Sequence, residues 1–370
     1  MNATRQLHDL GQSLWLDNIS RGLLTSGTLG RYVNDLAVTG LTSNPTIFDQ
    51  AIRNTASYDD SIRRKAAEGK SGEALFFELA FEDLARAADL FRPAYDATDG
   101  VDGWASLEVS PLLANDTAGT VKAVAQLHAQ APRPNIFIKI PGTREGVPAI
   151  EESIFAAVPV NVTLLFSSEQ YIASAEAYLR GIERRITAGL DPMVPSVASL
   201  FVSRWDVAVK DRVAPALRNR LGICIAKRTY KAYRDLLDSP RSRKLIGAGA
   251  RPQRLLWAST GTKDPAAPDT LYIEALAAPD TINTIPEKTL HAFADHGQVR
   301  GILPPDGGDA EKVLAEFRRT GVDDVALAAR LQREGTAAFD KSWKDLMDCI
   351  ESKRDALTKA APAPVPAVAP

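Results

Sequence analysis

The sequence is short of the residues that build cross-linked or metal-centred sites: it has 2 cysteines and 4 histidines in 370 residues. Cys224 and Cys349 stand far apart without histidine neighbours, which suits neither a disulfide framework nor a zinc site and predicts reduced, structural thiols. His8, His128, His291 and His296 are scattered, and the last two are spaced so that they do not stack on one helix face. A metal-dependent aldolase or hydrolase is disfavoured. Charge of one sign is lacking too: 44 basic against 46 acidic residues leave a net charge of −2, mixed along the chain, so neither nucleic acid nor a membrane surface is an expected partner. No apolar run approaches the roughly 20 residues of a membrane span. The N-terminus "MNATRQLHDLGQSLWLDNIS" lacks the basic, apolar and small-residue segments of a leader. The expectation is a cytoplasmic protein that handles small soluble ligands. The glycine-bearing stretches "PGTREG" and "PDGGDA" match neither the P-loop nor the dinucleotide fingerprint and read as strand-to-helix turns.

What is present is a rhythm. Short β-branched or apolar runs alternate with segments of helical period. Strands are predicted at 13–17, 36–43, 104–110, 135–140, 158–165, 192–199, 254–260 and 281–285, with helices among others at 117–131, 167–185 and 224–237. Such a series predicts a (β/α)8 TIM barrel, for which about 250 residues is typical; a doubly wound sheet is the alternative. From about residue 287 the pattern is helical, and these amphipathic segments are expected to cover the side or bottom of the barrel. One domain over 1–355 is expected, then an Ala/Pro-rich flexible tail over 356–370.

In a barrel, chemistry sits at the C-terminal ends of the strands, which directs attention to Asp17, Asn44, Glu108, Lys139, Asn161, Thr163, Ser199 and Ser259. Lys139 is the unusual one, because "NIFIKI" otherwise reads as a buried strand and lysine is almost never fully buried without a partner or a task. Desolvation beside Phe137 would favour its free amine, the setting for a Schiff base; a structural ion pair with Glu108 or Asp17 is the competing reading. Asp17 and Glu108 suit proton transfer, although Asp17 could instead cap the helix that follows and Glu108 merely neutralise a cation. Asn44, before Pro45, could be a turn residue. Ser199 and Ser259, with Arg204 and Lys263 nearby, suit a phosphate pocket at late barrel strands; the alternative is that Arg204 pairs with Asp206 on a surface.

Taken in order, "SLWLD", "GLTSNPTIF", "SLEVSP", "FIKIPGT", "VNVTLLFS", "VASLFVSRWD", "LLWASTGTKDP" and "TINTIPEKTL" resemble the transaldolases, Schiff-base aldolases of the pentose phosphate pathway, from about residue 8 to 300. The longer C-terminus resembles that of a longer bacterial subgroup. The resemblance implies that Lys139 forms the Schiff base, Glu108 works through a catalytic water held by Thr163, and Asp17 is the acid/base at the hydroxyl beside the broken bond. It further implies that Asn44 and Asn161 orient a dihydroxyacetone unit, and that Ser199, Arg204 and Ser259 bind the phosphate of a sugar phosphate. No metal or organic cofactor is implied. Many transaldolases have arginine two residues after the serine matching Ser259; here that position is Gly261, and Lys263 is the nearest substitute for its charge. A fructose-6-phosphate-type aldolase releasing free dihydroxyacetone, and a non-catalytic sugar-phosphate-binding barrel, are the alternatives; monomer and homodimer are both compatible with the sequence.

Overall fold

Eight short strands, each too apolar to leave a face in water, solve their burial by closing on themselves. The computed structural model describes residues 2–359. Strands β1 (Gln12–Leu16), β2 (Val38–Thr42), β3 (Ala105–Glu108), β4 (Ile136–Pro141), β5 (Val160–Leu165), β6 (Ser196–Phe201), β7 (Arg254–Ala258) and β8 (Thr281–Ile285) form a closed parallel barrel in sequence order, with β1 pairing β8. This is the predicted (β/α)8 architecture, and the doubly wound sheet is excluded. The sixth strand starts later than the predicted 192–199. Pro192 and Pro195 lack the backbone donors a ladder needs, so pairing begins at Ser196. Between β2 and β3 the chain makes a long excursion through the helices Pro45–Arg53, Asp59–Ala67 and Gly72–Ala97.

Alternation along each strand sorts the side chains into two cores. Ile136, Ile138 and Ile140 of β4 face the surrounding helices with Val160, Val162, Leu200 and Leu255, whereas Phe137 joins Trp15, Trp104, Val197, Leu256 and Ile282 inside the barrel. Phe137 stacks on Trp104 with ring centroids 4.0 Å apart and lies 6.1 Å from the Trp15 ring. Gly40 on β2 leaves the space this needs: a Cβ there would lie 2.7 Å from Trp15 Nε1 and 2.7 Å from Trp104 O. Each buried aromatic contributes about 1.5–3 kcal/mol by leaving water. Together they form a dry plug across the N-terminal half of the barrel. Above the plug the inner face turns polar toward the C-terminal mouth, and below it Ser13 and Arg254 line the opposite, N-terminal end.

The helix Asp324–Lys359 differs in placement from the expectation. Gly335 and Phe339, in the middle of its buried stripe, lie over the C-terminal mouth of the barrel instead of its side or bottom, while Trp343 packs on Phe76 and Phe77. The reason is polar as well as apolar: Gln332 Nε2 donates to Gly142 O (2.9 Å) and Leu164 O (3.0 Å), carbonyls just beyond Lys139 and Thr163. The helix start is held by Asp324, which accepts from Arg228 (2.6 Å) and Arg318 (3.0 Å). Further along, the helix packs on Pro45–Arg53 and Asp59–Ala67. It runs four residues into the stretch read as a tail, and the remainder, 360–370, lies outside the described residues. Among the described residues no helix is long and apolar enough to cross a membrane, and Cys224 and Cys349 are buried free thiols.

Candidate active site

Parallel register places the key side chains before any contact is considered. Glu108 pairs with Lys139, and Lys139 with Asn161 while Pro141 pairs with Thr163, so three adjacent strands present a carboxylate, an amine, an amide and a hydroxyl on the inner face. Lys139 is 6% exposed and Glu108 3%. Lys139 Nζ donates to Ser43 O at 3.0 Å and lies 3.4 Å from Glu108 Oε2. The other carboxyl oxygen, Glu108 Oε1, is buried with no hydrogen-bond partner among the described residues, and so is Thr163 Oγ1. The predicted strand lysine therefore does carry an ion pair, but it leaves half of the carboxyl group and the neighbouring hydroxyl uncommitted.

Asp17 approaches from the opposite side. Its N–H donates to Ile285 O at 2.9 Å, and its Oδ1 accepts from Thr42 Oγ1 at 3.0 Å, while Thr42 and Thr284 share a 2.6 Å hydroxyl pair. Burial pushes the Asp17 carboxyl above the usual aspartate value, with Lys139, Thr42 and Lys263 opposing. Glu108 is likewise pushed up by burial, against the pull of Lys139 and with a further push from Asp17. Two carboxyls and one amine thus share a poorly solvated chamber, where acids favour keeping a proton. Asp17 does not cap the following helix; Ser20 does, accepting from Leu23 N at 3.2 Å.

The remaining predicted residues line the same space or support it. Asn161 Nδ2 donates to Ser106 Oγ (3.1 Å) and its Oδ1 accepts from Ser199 Oγ (2.8 Å), forming a polar layer directly on the aromatic plug. Asn44 has two uses: its Oδ1 accepts from Ile47 N at 3.1 Å as the N-cap of Pro45–Arg53, and the residue also borders the cavity. Arg204 has no ion pair with Asp206, which is occupied by Leu221 N, Gly222 N and the Tyr272 hydroxyl and is pushed up to about 6 by burial. Instead the Arg204 guanidinium lies 5.3 Å from the Phe201 ring and 5.9 Å from the Phe339 ring, and burial lowers its proton affinity with a small counter-effect from Glu334. Ser259 sits at φ +56°, a left-handed conformation uncommon for serine, and pairs with Ser203 Oγ at 2.9 Å. Lys263 is exposed at the rim.

Asp17, Asn44, Lys139, Thr163, Arg204 and Lys263 are among the walls of a cavity of about 140 Å³, with Ser199 and Ser259 also bordering it; Glu108 and Asn161 do not line it but contact its walls, Glu108 at Lys139 and Asn161 at Ser199. A larger cavity of about 580 Å³ opens at the other end, beside Ser13, Ser196 and Arg254, on the far side of the aromatic plug. Sequence reasoning missed Thr42, Thr284, Phe201 and Phe339, all of which border the upper cavity. The two threonines could have been found, since each is a polar residue at or next to the end of a predicted strand; Phe339 gave no local signal.

The chamber thus brings together a buried lysine, two carboxyls whose proton affinity burial raises, and, at one wall, an arginine without an ion pair among the described residues. The model of the transaldolase/fructose-6-phosphate aldolase family matches residues 14–350. The chain belongs to this family. Among its relatives, a protein named transaldolase from Parafrankia sp. (strain EAN1pec) is 44% identical over 363 residues, covering 95% of this chain and 98% of the relative. A transaldolase from Thermobifida fusca (strain YX) is 44% identical over 363 residues, 96% and 99% of the two chains. One from Thiobacillus denitrificans (strain ATCC 25259 / T1) is 44% identical over 355 residues, 94% and 99%. In this member of the transaldolase/fructose-6-phosphate aldolase family the match extends well past the barrel, so the helices beyond β8, including most of Asp324–Lys359, are part of what the relatives share.

Proposed function

We propose that the chain is a transaldolase, moving a dihydroxyacetone unit from a ketose phosphate such as sedoheptulose 7-phosphate or fructose 6-phosphate to an aldose phosphate in the pentose phosphate pathway. The observation that carries this reading is Lys139, almost fully buried between Ser43 O and Glu108 at the floor of a polar cavity, in a chain whose relatives bear that name over their whole length.

In its amine form Lys139 Nζ attacks the substrate ketone. The carbinolamine then expels water to give a protonated imine. Glu108 Oε1 and Thr163 Oγ1, both buried without a hydrogen-bond partner among the described residues, suit holding and protonating that water. The imine cation draws in the electron pair of the C3–C4 bond while Asp17 accepts the proton of the C4 hydroxyl; an aldose phosphate leaves and a three-carbon enamine stays on Lys139. An acceptor aldehyde takes the enamine electrons, Asp17 returns its proton, and water hydrolyses the imine. The raised proton affinity of both carboxyls suits groups that must carry a proton for part of each cycle. Asn161 and Asn44 suit the hydroxyls of the three-carbon unit. Arg204, Ser199 and Ser259 suit the distal phosphate, with Lys263 supplying charge in place of the arginine that Gly261 does not provide. Buried free thiols at Cys224 and Cys349 accord with a cytoplasmic setting.

The test is to incubate the protein with fructose 6-phosphate, reduce with borohydride and map the added mass. A three-carbon adduct on Lys139 is expected, and turnover should require an acceptor aldehyde. Turnover without acceptor would assign the aldolase activity instead, and unmodified Lys139 in protein that binds the sugar would leave a non-catalytic binding barrel.

A further inference from the structure

Lys139 and Thr163 lie on β4 and β5, but the ends of those strands do not hold themselves. β5 carries one extra residue against β6 between Val162 and Leu165, and within that bulge Leu164 adopts φ +60°. A branched aliphatic residue with positive φ is strained, and a bulge leaves part of the ladder unpaired. The seam between the two strands is closed just above the site by one bond, Gly142 N donating to Thr163 O at 2.7 Å. The carbonyls that would face the mouth here, Gly142 O and Leu164 O, both accept from Gln332 Nε2. One amide group from the helix Asp324–Lys359 therefore bridges the residue three beyond Lys139 and the residue directly after Thr163.

The neighbouring turn of that helix is fitted to the same place. A Cβ on Gly335 would lie 3.0 Å from Leu164 Cδ2 and 3.2 Å from Arg204 Nη1, so the helix approaches closely because residue 335 has no side chain. One turn further, Phe339 borders the cavity and faces the Arg204 guanidinium. We infer that Gln332 is a positioning residue: through Gly142 O and Leu164 O it fixes the bulged end of β5 against β4, and so the placement of Thr163 Oγ1 relative to Lys139 Nζ. This role rests on the function proposed above.

Gln332→Leu keeps the volume and removes the donor. In the full-length protein, the rate of borohydride-trappable imine formation at saturating fructose 6-phosphate should fall about tenfold, short of the roughly 10²-fold that a misplacement of 1 Å can cost. KM for fructose 6-phosphate and the inhibition constant of inorganic phosphate should stay within about twofold, because Arg204 and Ser259 lie on other elements. Amide hydrogen exchange at Gly142 should accelerate about tenfold, reporting release of the seam. Unchanged exchange or an unchanged trapping rate overturns the assignment, and so does a slowed rate matched by an equal loss of phosphate binding, which would mean that the whole mouth has loosened. If Q332L does not fold, Q332M, unbranched and without a donor, is read by the same three measurements. A wild-type protein that forms no adduct refutes the proposed activity and this role with it, whereas a competent wild type with an indifferent Gln332 variant refutes this role alone.

Discussion

Arg204 and Lys263 are both assigned to the phosphate of the substrate, yet their surroundings predict unequal losses when each is replaced by alanine. Arg204 lies between two aromatic rings under the C-terminal helix with no protein carboxylate to satisfy it among the described residues, whereas Lys263 stands exposed at the rim. Two unit charges about 4 Å apart attract by about 4 kcal/mol at an effective dielectric near 20, and by about 1 kcal/mol in bulk water. Since about 1.4 kcal/mol is a factor of ten, Arg204→Ala should reduce kcat/KM for fructose 6-phosphate by up to about 10³-fold and Lys263→Ala by about fivefold. The assay compares fructose 6-phosphate with fructose, each with the same acceptor, at about 0.1 M and 1 M salt. The losses should be confined to the phosphorylated donor. That of Lys263→Ala should shrink toward nothing at about 1 M salt, where the screening length is about 3 Å, and that of Arg204→Ala should largely persist. Equal losses in the two variants, or a Lys263 effect that ignores salt, would refute the division into a half-buried anchor and a screened rim charge. Losses of the same size with fructose would show that neither residue meets the phosphate.

Other expectations are independent of that one. Glu108→Gln should lower the rate of imine formation by about 10²–10⁴-fold while fructose 6-phosphate still binds, as measured by single-turnover trapping; a near-normal rate would remove Glu108 from proton transfer. Asp17 has a folded-state proton affinity above its ordinary value, so its contribution to stability is present at low pH and is lost as pH rises through the raised value. Asp17→Asn should therefore be inactive yet melt higher than wild type at pH 8, with a smaller gain at pH 5, in a pair of thermal scans. Asp324 is the opposite case, held down to about 2 by hydrogen bonds from Arg318 and Arg228 that outweigh its burial. Its contribution is present above the ordinary aspartate value and is lost as pH falls toward about 2. Asp324→Asn should cost about 1–2 kcal/mol at pH 7, after discounting for the exposure of Arg318, and chemical denaturation at pH 4, 3 and 2 should show the deficit closing.

The barrel was legible because each of its strands has a distinctive composition. "TINTI" at 281–285 is recovered residue for residue as β8, since β-branched side chains leave few alternatives, whereas β6 slid because "PMVP" is apolar but its two prolines lack donors and Met193 and Val194 spend theirs locally on Asp191 and Pro192. Polar residues ending apolar runs pointed to Asp17, Glu108, Lys139 and Thr163, and the structure gathers these four above the level filled by Trp15, Trp104 and Phe137, at the C-terminal ends of their strands. Of the partners of Lys139, Glu108 was legible as one of two candidate carboxylates, whereas the backbone carbonyl Ser43 O was not, because no side chain announces a carbonyl. The C-terminal helix was recognised from its period but not its position. Gly335 reads as a helix weakness by propensity and Gln332 as a surface residue; only with Leu164 and Arg204 beneath them do they become a close approach and a bridge.

That helix also imposes an order in time. The barrel strands end at Ile285, so during synthesis all eight are made before Gln332, Gly335 and Phe339 exist. At about 5–20 residues per second, the 36 residues of Asp324–Lys359 occupy roughly 2–7 s of translation. Until Phe339 is added, a little under halfway along that helix, the nascent chain carries Lys139 but not all of the residues that close the mouth over it. Lys139 and the roof over it thus come together only when the last helix is laid down, and a chain interrupted before that helix would carry the lysine of the proposed Schiff base without its enclosure.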